Sequence, residues 1–158
     1  MAQQLTVESR SFGNNQPIPK RYVFSGFGAG GDNVSPHVKW SGAPAGTKSF
    51  ALTIWDPDAP TTVGFWHWTV FNIPAGVTEI EEGKLPHGAM QGYTDFGSME
   101  YGGPAPPPGH GPHHYHIRVY ALDLDKLPLD KSATGAMLMF MMGGHILAQG
   151  ELVGIYER

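Results

Sequence analysis

Read for the spacing of its apolar and polar positions, the chain breaks into short runs separated by glycine and proline. Leu5 to Ser9 alternates, Tyr22 to Phe24 is short and aromatic, and His37 to Trp40 alternates again before the turn at 41–46. Ser49 to Trp55 (SFALTIW) and Trp66 to Ile73 (WHWTVFNI) are strong strand signals, the first closed by Asp56-Pro57 and the second by Pro74. His113 to Leu122 (HHYHIRVYAL) is the longest β-rich run. Period-two alternation marks a half-buried strand because successive side chains point to opposite faces. It assigns Phe65, His67, Thr69 and Phe71 to one face and Trp66, Trp68, Val70 and Asn72 to the other. One helix is predicted, capped by Ser132 or Thr134, filled by Ala136 to Met142 and ended by Gly143-Gly144. Being apolar on every side, it is expected to be buried as core. His145 to Tyr156 is ambiguous, with Val153, Ile155, Gly150 and Gly154 favouring strand in its later part. The pattern predicts a mainly β domain with one or two peripheral helices and two long loops, Ile73 to Met90 and Asp95 to Pro112.

Composition narrows the function classes. The 158 residues fit a single domain spanning residues 1–158. A net charge of −4 argues against nucleic acid or an anionic membrane as partner, since both require a basic face. The absence of cysteine rules out a disulfide framework, thiolate metal ligands and a cysteine nucleophile. No signal-peptide core opens the chain and no apolar run approaches membrane-spanning length, so a cytoplasmic location is the expectation. The 22 glycines and 14 prolines, without a repeat, indicate many turns between short strands.

Three segments concentrate polar groups of unusual kind. Asp56-Pro57-Asp58-Ala59-Pro60 holds two carboxylates at a strand end on a proline-stiffened backbone; it reads either as a turn-shaping pair or as a cleft carboxylate. His67 sits between two tryptophans, where it serves either as a hydrogen-bonded packing residue or as a ligand-binding one. The segment 101–116 is the richest, with His110, His113, His114 and His116 inside seven residues. Alternation groups His113 with Tyr115 and Ile117, and His114 with His116 and Arg118. The Gly/Pro run before them offers backbone donors only at non-proline positions, including Gly103, Ala105 and Gly109. Histidine donors, a carboxylate to orient them and loop amides together suit a small oxyanion or phosphate pocket. The competing reading is a metal-assisted hydrolase using the cluster from His110 to His116. No HExxH spacing and no G-x-S-x-G elbow accompanies it.

DPDAP at 56–60, FWHWTVFNIP at 65–74 and YGGPAPPPGHGPHHYHIRVYALD at 101–123 resemble the phosphatidylethanolamine-binding protein family, also called the Raf kinase inhibitor protein family. With NVSPHVKWSGAPAGTKSFALTIWDPDAP and GHILAQGELVGIYER, the likeness to the bacterial branch covers nearly the whole chain. The resemblance implies a central antiparallel β-sheet packed on a smaller sheet, with peripheral helices and a small anion pocket at one sheet end. Carried over by motif, the ligand-binding residues are Asp56, Asp58, His67, Gly103, Ala105, His113 and Tyr115. It implies a non-enzymatic protein without cofactor or metal, binding phosphate or a phospholipid headgroup, inhibiting or scaffolding a kinase or protease partner, with a homodimer as one assembly open to it. Two positions depart from the family pattern: His114 stands where arginine is common, and Pro108 where lysine is common.

Overall fold

The computed structural model describes residues 3–158. Its large sheet has seven strands, and its centre is built from the three runs with the strongest strand signals and the ambiguous segment after the helix. β5 (Ser49–Asp56) pairs antiparallel with β6 (Phe65–Pro74) on one side and β9 (His113–Leu122) on the other, and β9 pairs antiparallel with β10 (Ile146–Tyr156). The short strands β1 (Gln3–Gln4) and β3 (Gln16–Pro17) add parallel to β10, and β8 (Met90–Gln91) adds antiparallel to β6. The smaller antiparallel sheet orders β2 (Thr6–Glu8), β4 (Val38–Ser41) and β7 (Glu79–Ile80). The architecture is mainly β, with two short parallel additions to an antiparallel centre.

The face of the large sheet turned toward the small one carries Leu52 and Ile54 of β5, Trp68 and Val70 of β6, and Tyr115, Ile117 and Val119 of β9. These pack with Val7, Val38, Trp40 and Ile80 into one buried cluster. The opposite face, with Ala51, Phe71, Tyr120 and Leu122, is covered by α1 (Gly135–Met142). Thr134 caps this helix by accepting from the Met137 N–H, as its sequence predicts. The expectation of a wholly buried helix is corrected: Leu138 and Met142 are buried, but Phe140 is 79% exposed and Met137 47%. One helix on one sheet face hides only its inward side. Tyr22 to Phe24 also departs from expectation. A 3-10 turn at Lys20–Tyr22 takes its place. His145 to Tyr156 resolves in favour of a long strand. No helix among the described residues is long and apolar enough to cross a membrane.

Two irregularities in the β5–β6 ladder shift β6 relative to strict alternation. Ile54 pairs with Trp68 while Trp55 pairs with Trp66, which leaves His67 as an extra residue. Further along, Phe50 pairs with Ile73 and Leu52 with Val70, so Phe71 and Asn72 together oppose Ala51. Such bulges re-aim side chains and bend the strand. Asn72 takes the second with φ 57°, a left-handed conformation that asparagine tolerates better than most residues. Its Oδ1 accepts the Leu127 N–H at 2.9 Å, tying the strand to the chain that leads into α1. Asn72→Ala is expected to cost about 1–3 kcal/mol, through the lost buried acceptor and the strained φ. Urea unfolding checks this, and an unchanged midpoint would contradict it.

Candidate functional site

The apolar rows facing the small sheet end in polar residues at one edge of the core. On β5 the row Leu52, Ile54 continues to Asp56, and on β9 the row Val119, Ile117 continues to Tyr115 and His113. On β6 the bulge turns His67 inward beside Trp68, so its ring meets that of Tyr115 edge-on at 5.1 Å. Strict alternation had grouped His67 with Thr69 and Phe71; the extra residue corrects that grouping. A cavity of about 190 Å³ opens over these ends, with Asp56, His67, Ala105, His113 and Tyr115 in its wall. Phe27, Phe65 and Phe96 complete an aromatic mouth, Phe27 standing 71% exposed.

Hydrogen bonding fixes what the cavity offers. Asp56 is buried, and both of its carboxylate oxygens are engaged. Oδ1 accepts the Asp58 N–H at 2.8 Å, and Oδ2 lies 2.6 Å from Nδ1 of His113. The second nitrogen of His113 lies 2.6 Å from Nδ1 of His110. His67 donates Nδ1–H to the Gly102 carbonyl at 2.8 Å. Burial lowers the basicity of this imidazole, outweighing the Gly102 carbonyl, Asp56, the Gly103 carbonyl and Asp95, all of which favour its protonated form. Burial, then the charge of Asp56, pushes the Tyr115 phenol far above its ordinary value, so the hydroxyl keeps its proton and remains a donor. Neither that hydroxyl nor the Ala105 N–H meets a partner among the described residues. With both Asp56 oxygens engaged, the Tyr115 hydroxyl and the Ala105 N–H are left as donors, and the Nε2 atoms of His67 and His113 donate when protonated.

Of the seven residues singled out from sequence, Asp56, His67, Ala105, His113 and Tyr115 converge, while Asp58 and Gly103 stand outside the cavity wall. Asp58 turns away to take both the backbone N–H and Nδ1–H of His114, each at 2.8 Å. Burial raises its carboxyl, but these side-chain and backbone bonds together hold it below the usual range. Gly103 donates its N–H to Asn33 Oδ1 at 2.8 Å. Its α-carbon is pressed so closely on the neighbouring chain that a Cβ would lie 2.1 Å from the Tyr22 carbonyl oxygen. Gly103 therefore serves close packing. The four clustered histidines do not assemble either, since His114 goes to Asp58 and His116 to Glu151, leaving only His110 and His113 in contact.

Elsewhere His37, Glu79 and Glu81 approach one another with metal-like spacing. Arg10 already bridges both glutamates, at 2.9 and 2.8 Å, and its backbone N–H occupies Nδ1 of His37. This is an ion network that ties the small sheet together. A larger hollow of about 370 Å³ lies over Trp68 and Tyr101, between Lys84 and Glu100. Its buried indole N–H is already satisfied by Gln91 Oε1 at 2.7 Å. The smaller cavity is the stronger candidate because two unpartnered donors, the Tyr115 hydroxyl and the Ala105 N–H, belong to residues of its wall beside His67 and His113.

The sequence profile described as phosphatidylethanolamine-binding protein matches residues 8–157. The chain belongs to that family. Among relatives, it is 47% identical over 158 residues to the UPF0098 protein YbcL of Escherichia coli K12, covering 96% of this chain and 86% of that protein. The crystal structure of E. coli YbcL, itself described as a member of the mammalian PEBP family, superimposes with TM-score 0.95 at 45% identity over 98% of this chain and 99% of that one. A homologue from Chlamydia trachomatis aligns with TM-score 0.86 at 34% identity over 99% of each chain. The same fold, at 21% identity and TM-score 0.54 over 99% of this chain and 83% of the other, occurs in a carboxypeptidase Y inhibitor complexed with its cognate proteinase.

Residue-pattern reasoning missed two contributors to this family member's cavity. Phe27 and Phe96 come from loops distant in sequence, and no periodicity marks them. Arg158 donates Nε–H to the Pro106 carbonyl at 2.6 Å and a guanidinium N–H to the Phe27 carbonyl at 3.0 Å, fastening two wall segments together.

The lowered pKa of His67 has a sign that can be measured. Below the ordinary imidazole value of 6.5 the unfolded chain binds a proton that the folded ring resists, so stability is kept above that pH and lost as pH falls through it. His67→Gln removes the titration. Its stability should therefore decline less steeply than that of the unmodified protein between pH 7 and 5. Parallel slopes in chemical unfolding would contradict the assignment.

Proposed function

We propose that this protein is a non-enzymatic binding protein whose cavity takes a small oxyanion, a phosphate or the phosphate of a larger headgroup. The observation that carries the reading is the meeting of His67, His113, Tyr115 and the unpartnered Ala105 N–H at the polar end of an otherwise apolar cavity. Both Asp56 oxygens already accept a hydrogen bond, one of them from His113, so the carboxylate holds that ring in place. Burial strengthens such donors, because no water competes for the anion. The aromatic mouth suits an apolar body attached to the anion, and an inhibitory or scaffolding partner would meet the protein there. The metal-assisted reading has less support, because His114 is held by Asp58 and His116 by Glu151, away from His110 and His113.

Calorimetric titration with methyl phosphate and with sulfate tests the reading. His67→Ala and His113→Ala each remove a donor to a charged group and should weaken binding by about 1.5–3 kcal/mol. Tyr115→Phe should cost less, about 0.5–1.5 kcal/mol. Wild-type affinity for both anions in the two histidine variants would overturn the proposal. The pH dependence has a definite sign. With Nδ1–H of His67 given to Gly102, its second nitrogen becomes a donor only on protonation, so binding should weaken as pH rises. Sulfate keeps its charge between pH 6 and 8, and equal sulfate affinity at both would contradict a charge-assisted site.

A further inference from the structure

We propose that His110 caps the empty anion site, and that an entering anion displaces it from His113 and leaves the complex holding one additional proton; this rests on the anion-binding reading above. A carboxylate has no hydrogen to give, so the 2.6 Å contact with Asp56 Oδ2 requires His113 to carry its hydrogen on Nδ1. In the proposed resting state the ring is neutral, Nε2 presents a lone pair, and His110 Nδ1, 2.6 Å away, donates to it. An oxyanion cannot take the same place unless Nε2 gains a proton, or unless the anion brings one, as a hydrogen phosphate does. In either case the complex holds one proton more than the neutral pocket and the free dianion together. The nitrogen has one lone-pair direction, so His110 and the anion compete for it.

The loop is built to release the ring. Pro107 to His110 forms a turn closed by the His110 N–H on the Pro107 carbonyl at 3.2 Å, with proline second and Gly109 third at φ 77°. Gly109 donates to the Arg158 carbonyl at 2.8 Å, so the base of the turn is anchored. Gly111 follows with φ 90°, and no atom lies within 4 Å of where a Cβ would stand at either glycine. His110 is exposed, and among the described residues its ring bonds only to His113. Release is a rotation of one side chain, with the turn left in place. The charged and titratable groups around the pair are Asp56 on β5, His67 on β6, and Tyr115 and His114 on β9, the last held by Asp58. Asp95 acts on His67, and the Arg158 guanidinium acts on Tyr115 from its seat on the Pro106 and Phe27 carbonyls.

The test compares the unmodified protein with His110→Ala, using sulfate, which cannot bring a proton, and methyl phosphate. Loss of the competing hydrogen bond should lower the sulfate Kd by about 3- to 10-fold. In the unmodified protein at pH 8, the dependence of binding enthalpy on buffer ionisation enthalpy should report at least one proton taken up per sulfate. Imidazole NMR of the unmodified protein should show the His110 ring signals moving to those of a free, exposed histidine as sulfate saturates, a readout that no substitution disturbs. Unchanged or weaker sulfate binding in His110→Ala, no proton uptake, or an unmoved His110 ring would each overturn the cap while leaving the anion site standing. Failure of the unmodified protein to bind either anion at pH 6 would overturn both.

Discussion

A carboxylate removed from water must be met by donors, and the pocket is organised around meeting Asp56. The next turn of backbone supplies one donor, the Asp58 N–H, and β9 supplies the other through His113. Those two bonds fix the tautomer of His113, which decides whether its cavity-facing nitrogen accepts or donates. The place of Asp56 at the end of an apolar row is what makes this possible. Leu52 and Ile54 hold the strand against the small sheet, so the next inward residue arrives at the core's edge at a fixed height. Removing the carboxylate would free the ring; removing the ring would leave a buried charge unpaired, the costlier loss.

The neighbouring strands bring the rest of the site to the same height. β9 runs without interruption from Leu122 to His113, and its register with β5 sets Tyr115 and His113 beside Asp56. β6 reaches the site only through its bulge, where one extra residue turns His67 toward Tyr115 without pulling Trp68 out of the core. The rim comes from elsewhere. Phe96 stacks on Phe24 with centroids 4.1 Å apart and meets Phe65 edge-on at 4.8 Å, joining three separate stretches of chain. On the proposed reading, a polar floor under an aromatic rim would suit an anion that carries an apolar group.

Much of this was legible in the sequence, for local reasons. β9 begins and ends where its composition says, and its regular alternation correctly sent His113 and Tyr115 inward and His114 and His116 outward. Strict alternation groups His67 with Phe65, Thr69 and Phe71; the structure keeps it beside Phe65, with ring centroids 5.0 Å apart, and separates it from the other two. WHWTVFNI is so uniformly apolar that a one-residue bulge leaves no trace in its pattern. Gly103 looked like a free backbone donor, yet its amide is taken by Asn33, 70 positions earlier, a pairing no local signal could reveal. The all-round apolar helix looked like core because periodicity reports what a segment could bury, while Phe140 faces away from the one sheet that α1 covers. The family motifs name both aspartates alike; they do not distinguish one that orients a histidine, as Asp56 does, from one that turns to His114, as Asp58 does.

If Asp56, His67, His113 and Tyr115 form one anion site, a crystal structure of the unmodified protein with methyl phosphate will show phosphate density in contact with His113, Tyr115 and the Ala105 N–H, with Asp56 still bonded to His113 from behind. Phosphate bound at another surface, with this cavity empty at saturating ligand, would contradict it.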